Sequence, residues 1–308
     1  MNDLIDRRTI NRRDVVKAGI ALSALPAWAA GQEKIMTKPI PATGEALPVV
    51  GLGTYRSFDV SGWWWEVRWR RMLIDKMIEM GASVIDSSPQ YEQSEEIVGK
   101  VIDDDNRRAD LFLATKVWTD GLEAGRQQMQ GSFNLMKAGG KVDLMQVHNL
   151  RDTDLHMATI REWQQEGRIR YNGLTHWEET AHDDLIAAMQ KHKPQFIQIN
   201  YSLGEREAEN RVLPMAKDLG IAVMINRPYM HGRLFRSVRD QEMPAWGREF
   251  ADSWGQFFLK FIISHPAVTC VIPGTDEMGH LEDNLGAGLG PMPDAAMRAK
   301  MVSFFESL

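Results

Sequence analysis

The sequence predicts a single-domain α/β protein, a closed (β/α)8 barrel of eight parallel strands each followed by a covering helix. Three observations carry that expectation. Eight short apolar runs begin at Val49, Ser83, Leu111, Val142, Ile169, Phe196, Ile221 and Val268, at intervals that fit one strand plus one helix, with a longer interval before the last. The runs are apolar throughout rather than alternating, as in strands of a parallel sheet covered on both faces. No Gly-x-Gly-x-x-Gly follows the first run, which disfavours the open, doubly wound alternative.

Along the chain, the first segment stands apart. Asn11-Arg12-Arg13-Asp14-Val15-Val16-Lys17, a weakly apolar run and Ala27-Trp28-Ala29 have the order of a twin-arginine export signal with cleavage before Ala30. Residues 1–29 are therefore expected to be a signal and 30–308 the barrel. The run from Ala18 to Ala30 is short of the roughly 20 apolar residues that span a bilayer, so no stable membrane anchor is expected. Export in the folded state implies a periplasmic or secreted bacterial protein, with the export machinery as a partner.

Ile35 to Pro48 is expected to close the barrel bottom as a short hairpin. Between the strands, helical spacing shows at Leu122, Met129, Phe133 and Met136, at Met157, Ile160 and Trp163, at Val212, Ala216 and Leu219, and at Phe257 and Phe261. The first helix opens with Trp63-Trp64-Trp65-Glu66-Val67-Arg68-Trp69. Trp65 and Trp69 are expected to pack at its rim; Trp63 and Trp64 stay open between packing and an aromatic wall at the mouth. Asp103-Asp104-Asp105 reads as a solvated turn, and Pro291 to Leu308 as a closing helix that leaves the pocket fairly open.

Of the 308 residues, 44% are hydrophobic and 25% charged, ordinary for a soluble globule. Loss of residues 1–29 removes five Lys/Arg from 36 and three Asp/Glu from 42, taking the net charge from −6 to −8. That balance argues against nucleic acid or an anionic membrane as partner. A monomer acting on a small molecule is expected. The single cysteine, Cys270, lies in an apolar run and reads as a buried small hydrophobe. No Cys, His and carboxylate cluster has metal-ligand spacing.

In such a barrel the working face lies at the C-terminal ends of the strands. Asp86 ends the second run, Tyr91 follows in its loop, Lys116 ends the third and His148 the fourth. Each alone is more simply a loop cap, a rim phenol, a solvated amine or a satisfied imidazole. Together they form a proton-donating device. A phenol with a pKa near 10 becomes a useful acid when a cation stabilises its anion, which Lys116 can do, and a buried ammonium needs a counter-charge, which Asp86 supplies. His148 would orient a substrate oxygen and share the proton.

These residues in their context, Gly53-Thr54-Tyr55, Asp86 to Glu95, Thr115-Lys116 and Asp143 to His148, resemble the aldo-keto reductases over the chain from about Leu47 to its end. The resemblance implies a (β/α)8 oxidoreductase that reduces an aldehyde or ketone with NADPH or NADH, with Tyr91 as general acid, Lys116 and Asp86 tuning it, and His148 positioning the carbonyl. It also implies cofactor contacts at Thr54, Tyr55, Thr175, His176, Gln198, Asn226, Arg227, Gly274, Thr275, His280 and Asn284. Within that set, Gln198, Thr175 and His176 would hold the carboxamide, with histidine where the family has asparagine.

Other positions depart from the pattern as well. Asn226 stands where most members have an aromatic residue under the nicotinamide, and Arg227 where a small residue approaches the pyrophosphate, whose oxygens its guanidinium could bind. Gly274 and His280 replace the Lys and Arg that grip the 2′-phosphate in NADP-preferring members. Thr275 and a helix starting at Asp276 could still bind an anion, opposed by Asp276 and Glu277, and Asn284 fits the adenine contact. Weakened discrimination between NADPH and NADH is therefore expected. The alternative is a slow-turnover, nucleotide-binding redox module with a protein partner. A hydrolytic barrel is weaker, because the adjacent carboxylates Glu95 and Glu96 follow Ser94 as the first turn of a helix.

Overall fold

The computed structural model describes residues 34–102 and 107–308. Residues 1–29, read above as an export signal, and the Asp103-Asp104-Asp105 run lie outside the described residues. The first described element is an antiparallel hairpin, β1 (Thr37–Pro39) against β2 (Ala46–Pro48), with Lys38 opposite Leu47. Eight parallel strands follow: β3 (Leu52–Gly53), β4 (Val84–Asp86), β5 (Phe112–Val117), β6 (Val142–His148), β7 (Ile169–Thr175), β8 (Phe196–Asn200), β9 (Ala222–Asn226) and β10 (Cys270–Val271). They pair in chain order from β3 to β10. The ends of the sheet then meet through parallel bridges, Val50 to Val271 and Gly53 to Gly274. The Gly51 N–H donates to the Val271 carbonyl at 2.8 Å and the Val271 N–H to the Val49 carbonyl at 2.9 Å. The barrel is closed, as the eight apolar runs imply.

The seam between β3 and β10 explains two glycines. A Cβ on Gly53 would lie 2.8 Å from the Ile272 carbonyl oxygen, and one on Gly274 would lie 3.0 Å from that of Gly53. Side chains are excluded there by backbone contact.

Ten helices complete the described chain: α1 (Trp64–Glu79), α2 (Ser94–Ile102), α3 (Leu122–Leu135), α4 (Thr153–Gln165), α5 (His182–His192), α6 (Val212–Asp218), α7 (Arg233–Ser237), α8 (Trp254–Ile263), α9 (Met278–Gly286) and α10 (Ala295–Glu306). One apolar layer lies between helices and sheet, where α3 buries Met129 and Phe133 and α4 buries Met157, Ile160 and Trp163. Leu122 and Leu219, at the ends of their helical patterns, are instead exposed. A second layer fills the barrel floor: Ile40 and Leu47 from the hairpin region meet Val84, Phe112, Leu144 and Phe196. Phe112, Tyr171 and Phe196 are mutually packed with ring centroids 5.4–6.0 Å apart. Cys270 belongs to this layer, fully buried, and burial pushes its thiol pKa up. The hairpin thus plugs the bottom, and the open end of the barrel is left for the site.

The closing helix is α10. Asp294 accepts the Met297 N–H at 2.8 Å as its N-cap, and Arg298 reaches Tyr201 at 2.7 Å and Glu209 at 2.6 Å. Two expectations about helices need correction. Trp65 is 51% exposed, because α1 buries the face of Arg70, Leu73, Ile74 and Met77, with which Trp65 does not align. It stacks instead on Trp63 at 5.2 Å, and none of Trp63, Trp64 and Trp65 lines the mouth cavity. Trp69 is 38% exposed but donates its indole N–H to the Asp276 carbonyl at 2.6 Å, tying α1 to the loop after β10. The last helix of the barrel starts at Met278 rather than Asp276, since the Thr275 hydroxyl accepts the Glu277 N–H at 3.1 Å and holds that stretch as a turn.

Candidate active site

A cavity of about 750 Å³ opens at the C-terminal ends of the strands. Register places the candidate groups there, with Lys116 opposite Gln146 on β5 and β6, His148 opposite Thr175, and Thr175 opposite Gln198. Asp86, Tyr91 and His148 line the cavity, and Lys116 lies fully buried beneath it.

Lys116 is the centre of the group. Its ammonium donates to Asp86 Oδ2 at 2.7 Å and to the Ser87 carbonyl at 2.7 Å, and sits 5.0 Å from the Tyr91 ring centroid. Burial opposes its charge, but Asp86 and Tyr91 outweigh burial and hold its pKa above the ordinary lysine value. Asp86 Oδ1 accepts from Gln198 Nε2 at 2.8 Å and from Gln146 Nε2 at 3.3 Å. Gln146 escapes a reading of strand ends, because it lies two residues before His148. That spacing on β6 is nonetheless the period that puts two side chains on one face.

Tyr91 keeps its proton. Burial raises the phenol pKa above 10, and the Lys116 charge counters only part of that rise. In the free site the phenol is therefore less acid than usual rather than more: burial outweighs the Lys116 charge, and the Asp86 carboxylate adds to the rise. Tyr55 lies against Tyr91 at 5.1 Å. His148 is held neutral, its pKa pushed down to about 3 by burial and then by the Lys116 charge. Its Nδ1 shares a hydrogen bond with the Ser88 hydroxyl at 3.3 Å, and Trp118 stands 6.5 Å away.

Behind Lys116, buried Glu95 accepts hydrogen bonds from the hydroxyls of Thr115 at 2.5 Å and Ser132 at 3.0 Å, and burial raises its pKa. It does start a helix, α2, but as an internal anchor between α2, β5 and α3 rather than a surface charge.

The predicted cofactor contacts divide into two sets. Thr54, Tyr55, Thr175, Gln198, Asn226, Arg227, Gly274 and Thr275 line the cavity. The Thr54 hydroxyl, however, is engaged by the Asp86 carbonyl at 3.1 Å and Ser87 Oγ at 2.9 Å, so it fastens β3 to β4. His176, His280 and Asn284 are outside the cavity lining. His176 turns into its own loop, where Nδ1 accepts the Glu178 N–H at 3.1 Å, and His280 is an exposed side chain 3.6 Å from Glu277. Asn284 is buried and accepts from the Tyr229 hydroxyl at 2.5 Å.

Two side chains at the end of β9 lack full partners among the described residues. Asn226 Nδ2 donates weakly to Gln198 Oε1 at 3.4 Å, while its Oδ1 is buried with no partner. Arg227, next along, has φ 48° and lays its guanidinium over the Trp177 ring, 3.8 Å from the centroid.

A closed barrel with its titratable groups gathered at the C-terminal mouth is the layout of a (β/α)8 enzyme. Residues 49–299 match the Aldo/keto reductase family, and the chain belongs to that family of oxidoreductases. It is 25% identical over 294 residues to an uncharacterized oxidoreductase, YqkF, of Bacillus subtilis, covering 83% of this chain and 90% of the relative. To the aldo-keto reductase YhdN of the same organism it is 30% identical over 220 residues, 66% of this chain and 64% of the relative. Among solved structures, an aldo-keto reductase from Klebsiella pneumoniae in complex with NADPH superposes with a TM-score of 0.73 at 21% identity, covering 89% of this chain and 95% of that one. The holo form of aldo-keto reductase AKR11C1 from Bacillus halodurans gives 0.71 at 21% identity, covering 88% and 96%. Both structural likenesses bear on the fold.

Proposed function

We propose that the protein is a carbonyl reductase that uses NADPH or NADH to convert an aldehyde or ketone to an alcohol. The observation that carries this reading is the protonated Tyr91 phenol standing over a buried Lys116–Asp86 pair at the floor of an open cavity. The fit to a nicotinamide rests on the chain's own residues. Asn226 Oδ1 is a buried acceptor with no partner among the described residues, suited to a carboxamide N–H, and Thr175 and Gln198 line the same cavity. The cofactor supplies hydride to the carbonyl carbon when bound.

The protein's share is the proton and the geometry. Tyr91 gives its phenolic proton to the carbonyl oxygen, and Lys116 stabilises the phenolate left behind. With Ser88 donating to Nδ1, neutral His148 presents Nε2–H as a donor to the same oxygen. Its depressed pKa keeps it neutral across physiological pH, so it orients and does not compete as the acid. No permanent cation occupies Gly274 or His280, which supports acceptance of both nucleotides.

The test is cofactor oxidation by the purified chain from residue 30 onward with an aldehyde and ketone panel, run in parallel with NADPH and NADH. Tyr91→Phe should lower kcat by about 10²–10⁴ while nucleotide binding, read by fluorescence, is retained. Turnover that is indifferent to Tyr91→Phe would remove the assignment, and a preference for NADPH beyond about a hundredfold, or 2.7 kcal/mol, would remove dual acceptance. The reading extends to export of the folded protein, on the order Arg12-Arg13, apolar run, Ala27-Trp28-Ala29. A periplasmic fraction that lacks the protein, or retains it with residue 1 intact, would count against that.

A further inference from the structure

The cavity mouth carries a guanidinium, Arg227, that no carboxylate among the described residues pairs with directly. The Arg227 side chain makes no hydrogen bond or ion pair among the described residues; its guanidinium stacks on Trp177. A guanidinium has five N–H donors in a planar fork, and at Arg227 that fork lines the cavity, where an anionic ligand can take two of them at once. Burial accordingly disfavours its charge, and the carboxylate that acts on it most, Glu205, is already engaged by Arg233 at 2.9 Å and Asn200 at 3.2 Å. The backbone at Arg227 is left-handed, φ 48°, a conformation that disfavours a non-glycine residue and here turns the side chain onto Trp177. A stacked guanidinium has its plane fixed, so its fork is oriented before any ligand arrives. Arg227 also acts electrostatically on Tyr91, the proton donor, and on Tyr55. That places the free cation at the reacting end of the cavity. Arg56, over the Tyr55 ring at 5.2 Å, is a second guanidinium on the same lining.

Resting on the carbonyl reductase reading, we propose that Arg227 receives a carboxylate of the substrate, so that the preferred substrates are aldehydes or ketones that also carry a carboxylate. Trp177 holds the fork flat for two parallel N–H to oxygen bonds, and Trp118 and Trp177 supply apolar surface for the carbon skeleton between carboxylate and carbonyl. On a chain of net charge −6, an uncompensated arginine at the mouth also draws the anion in and sets it apart from neutral carbonyls.

The probes are 2-, 3- and 4-carboxybenzaldehyde, which step the carboxylate away from the carbonyl, against the matching carbamoylbenzaldehydes, which keep shape and lose charge. The best acid should exceed its amide in kcat/KM by about tenfold or more, carried mostly by KM. Arg227→Gln should collapse that ratio to near one, and Arg227→Lys should restore part of it. Nucleotide affinity, titrated by fluorescence without turnover, separates the two anions that could occupy the fork. A loss of nucleotide binding in Arg227→Gln, with acids and amides falling together, would assign Arg227 to a cofactor phosphate and overturn the proposal. Calorimetric titration of the acids covers the case in which the carbonyl reductase reading itself fails. Acid binding that disappears in Arg227→Gln would support the carboxylate site even without turnover; equal binding by both proteins would overturn it.

Discussion

Asp86→Asn tests the electrostatic centre directly. In the native site Lys116 is fully buried, and its raised pKa depends first on Asp86. Asparagine keeps the shape of the aspartate and removes the charge. The ammonium then retains the Ser87 carbonyl at 2.7 Å and the Tyr91 hydroxyl, neither of them anionic at neutral pH. Breaking one side of a buried ion pair costs about 3–5 kcal/mol, which for a barrel of this size lowers Tm by roughly 10 °C at pH 7.

The pH dependence gives the sharper signature. A lysine with a folded pKa above 10.5 contributes stability that is fully present below 10.5, so the native protein should show no Lys116-linked slope between pH 7 and 10. Without Asp86, burial dominates and takes the folded pKa below the unfolded value. The folded state then binds fewer protons than the unfolded state, and the variant's stability should rise with pH toward 10.5. Thermal melts of both proteins from pH 7 to 10 read the difference. A variant that melts with the native protein and follows the same profile would show that the Lys116–Asp86 pair does not hold this site together.

Two further predictions bear on the frame around the site. His148, with a folded pKa of about 3 against 6.5 unfolded, takes up its proton only in the unfolded chain as pH falls below 6.5, so it should cost about 2 kcal/mol of stability at pH 5, and His148→Gln should lose correspondingly less between pH 7 and 5 in denaturant titrations. On α2, a Cβ on Gly99 would sit 1.9 Å from the Leu135 carbonyl oxygen, whereas one on Gly131 of α3 meets nothing within 4 Å. Gly99→Ala should destabilise by at least about 2 kcal/mol and Gly131→Ala should be neutral or gain up to about 1 kcal/mol; equal melting of the two variants would contradict the close α2–α3 contact.

How much of this was legible in the sequence follows from what kind of force decides each feature. Burial decides the strands, and burial is written in composition, so all eight apolar runs became strands and Asp86, Lys116 and His148 fell at their ends. Packing direction is a weaker signal. Trp65 has the right residue type for an interior but sits off the face that Leu73, Ile74 and Met77 define. Hydrogen-bond competition is weaker still: Thr54 and His176 carry suitable atoms, yet neighbouring backbone and hydroxyl groups claim them first. The turn at Arg227 was not readable at all, because nothing in Asn226-Arg227-Pro228 announces a left-handed arginine.

The charge inventory of the mouth connects these pieces. Asp86 and Lys116 cancel, His148 is neutral and Tyr91 holds its proton, so the floor of the cavity carries almost no net charge before a ligand binds. A unit charge 5 Å from the phenol is worth about 3 kcal/mol at an effective dielectric constant near 20, but Asp86 stands on the same ammonium and removes part of that. Tyr91 therefore answers to the difference between Lys116 and Asp86 rather than to Lys116 alone. Burial first, and the smallness of that difference second, leave the phenol protonated at neutral pH, the form that the proposed reduction consumes and the reverse oxidation would have to lose first. The uncompensated charge lies instead at Arg227, on the ligand side of the cavity, where it can recognise an anion at modest cost to the proton chemistry beneath.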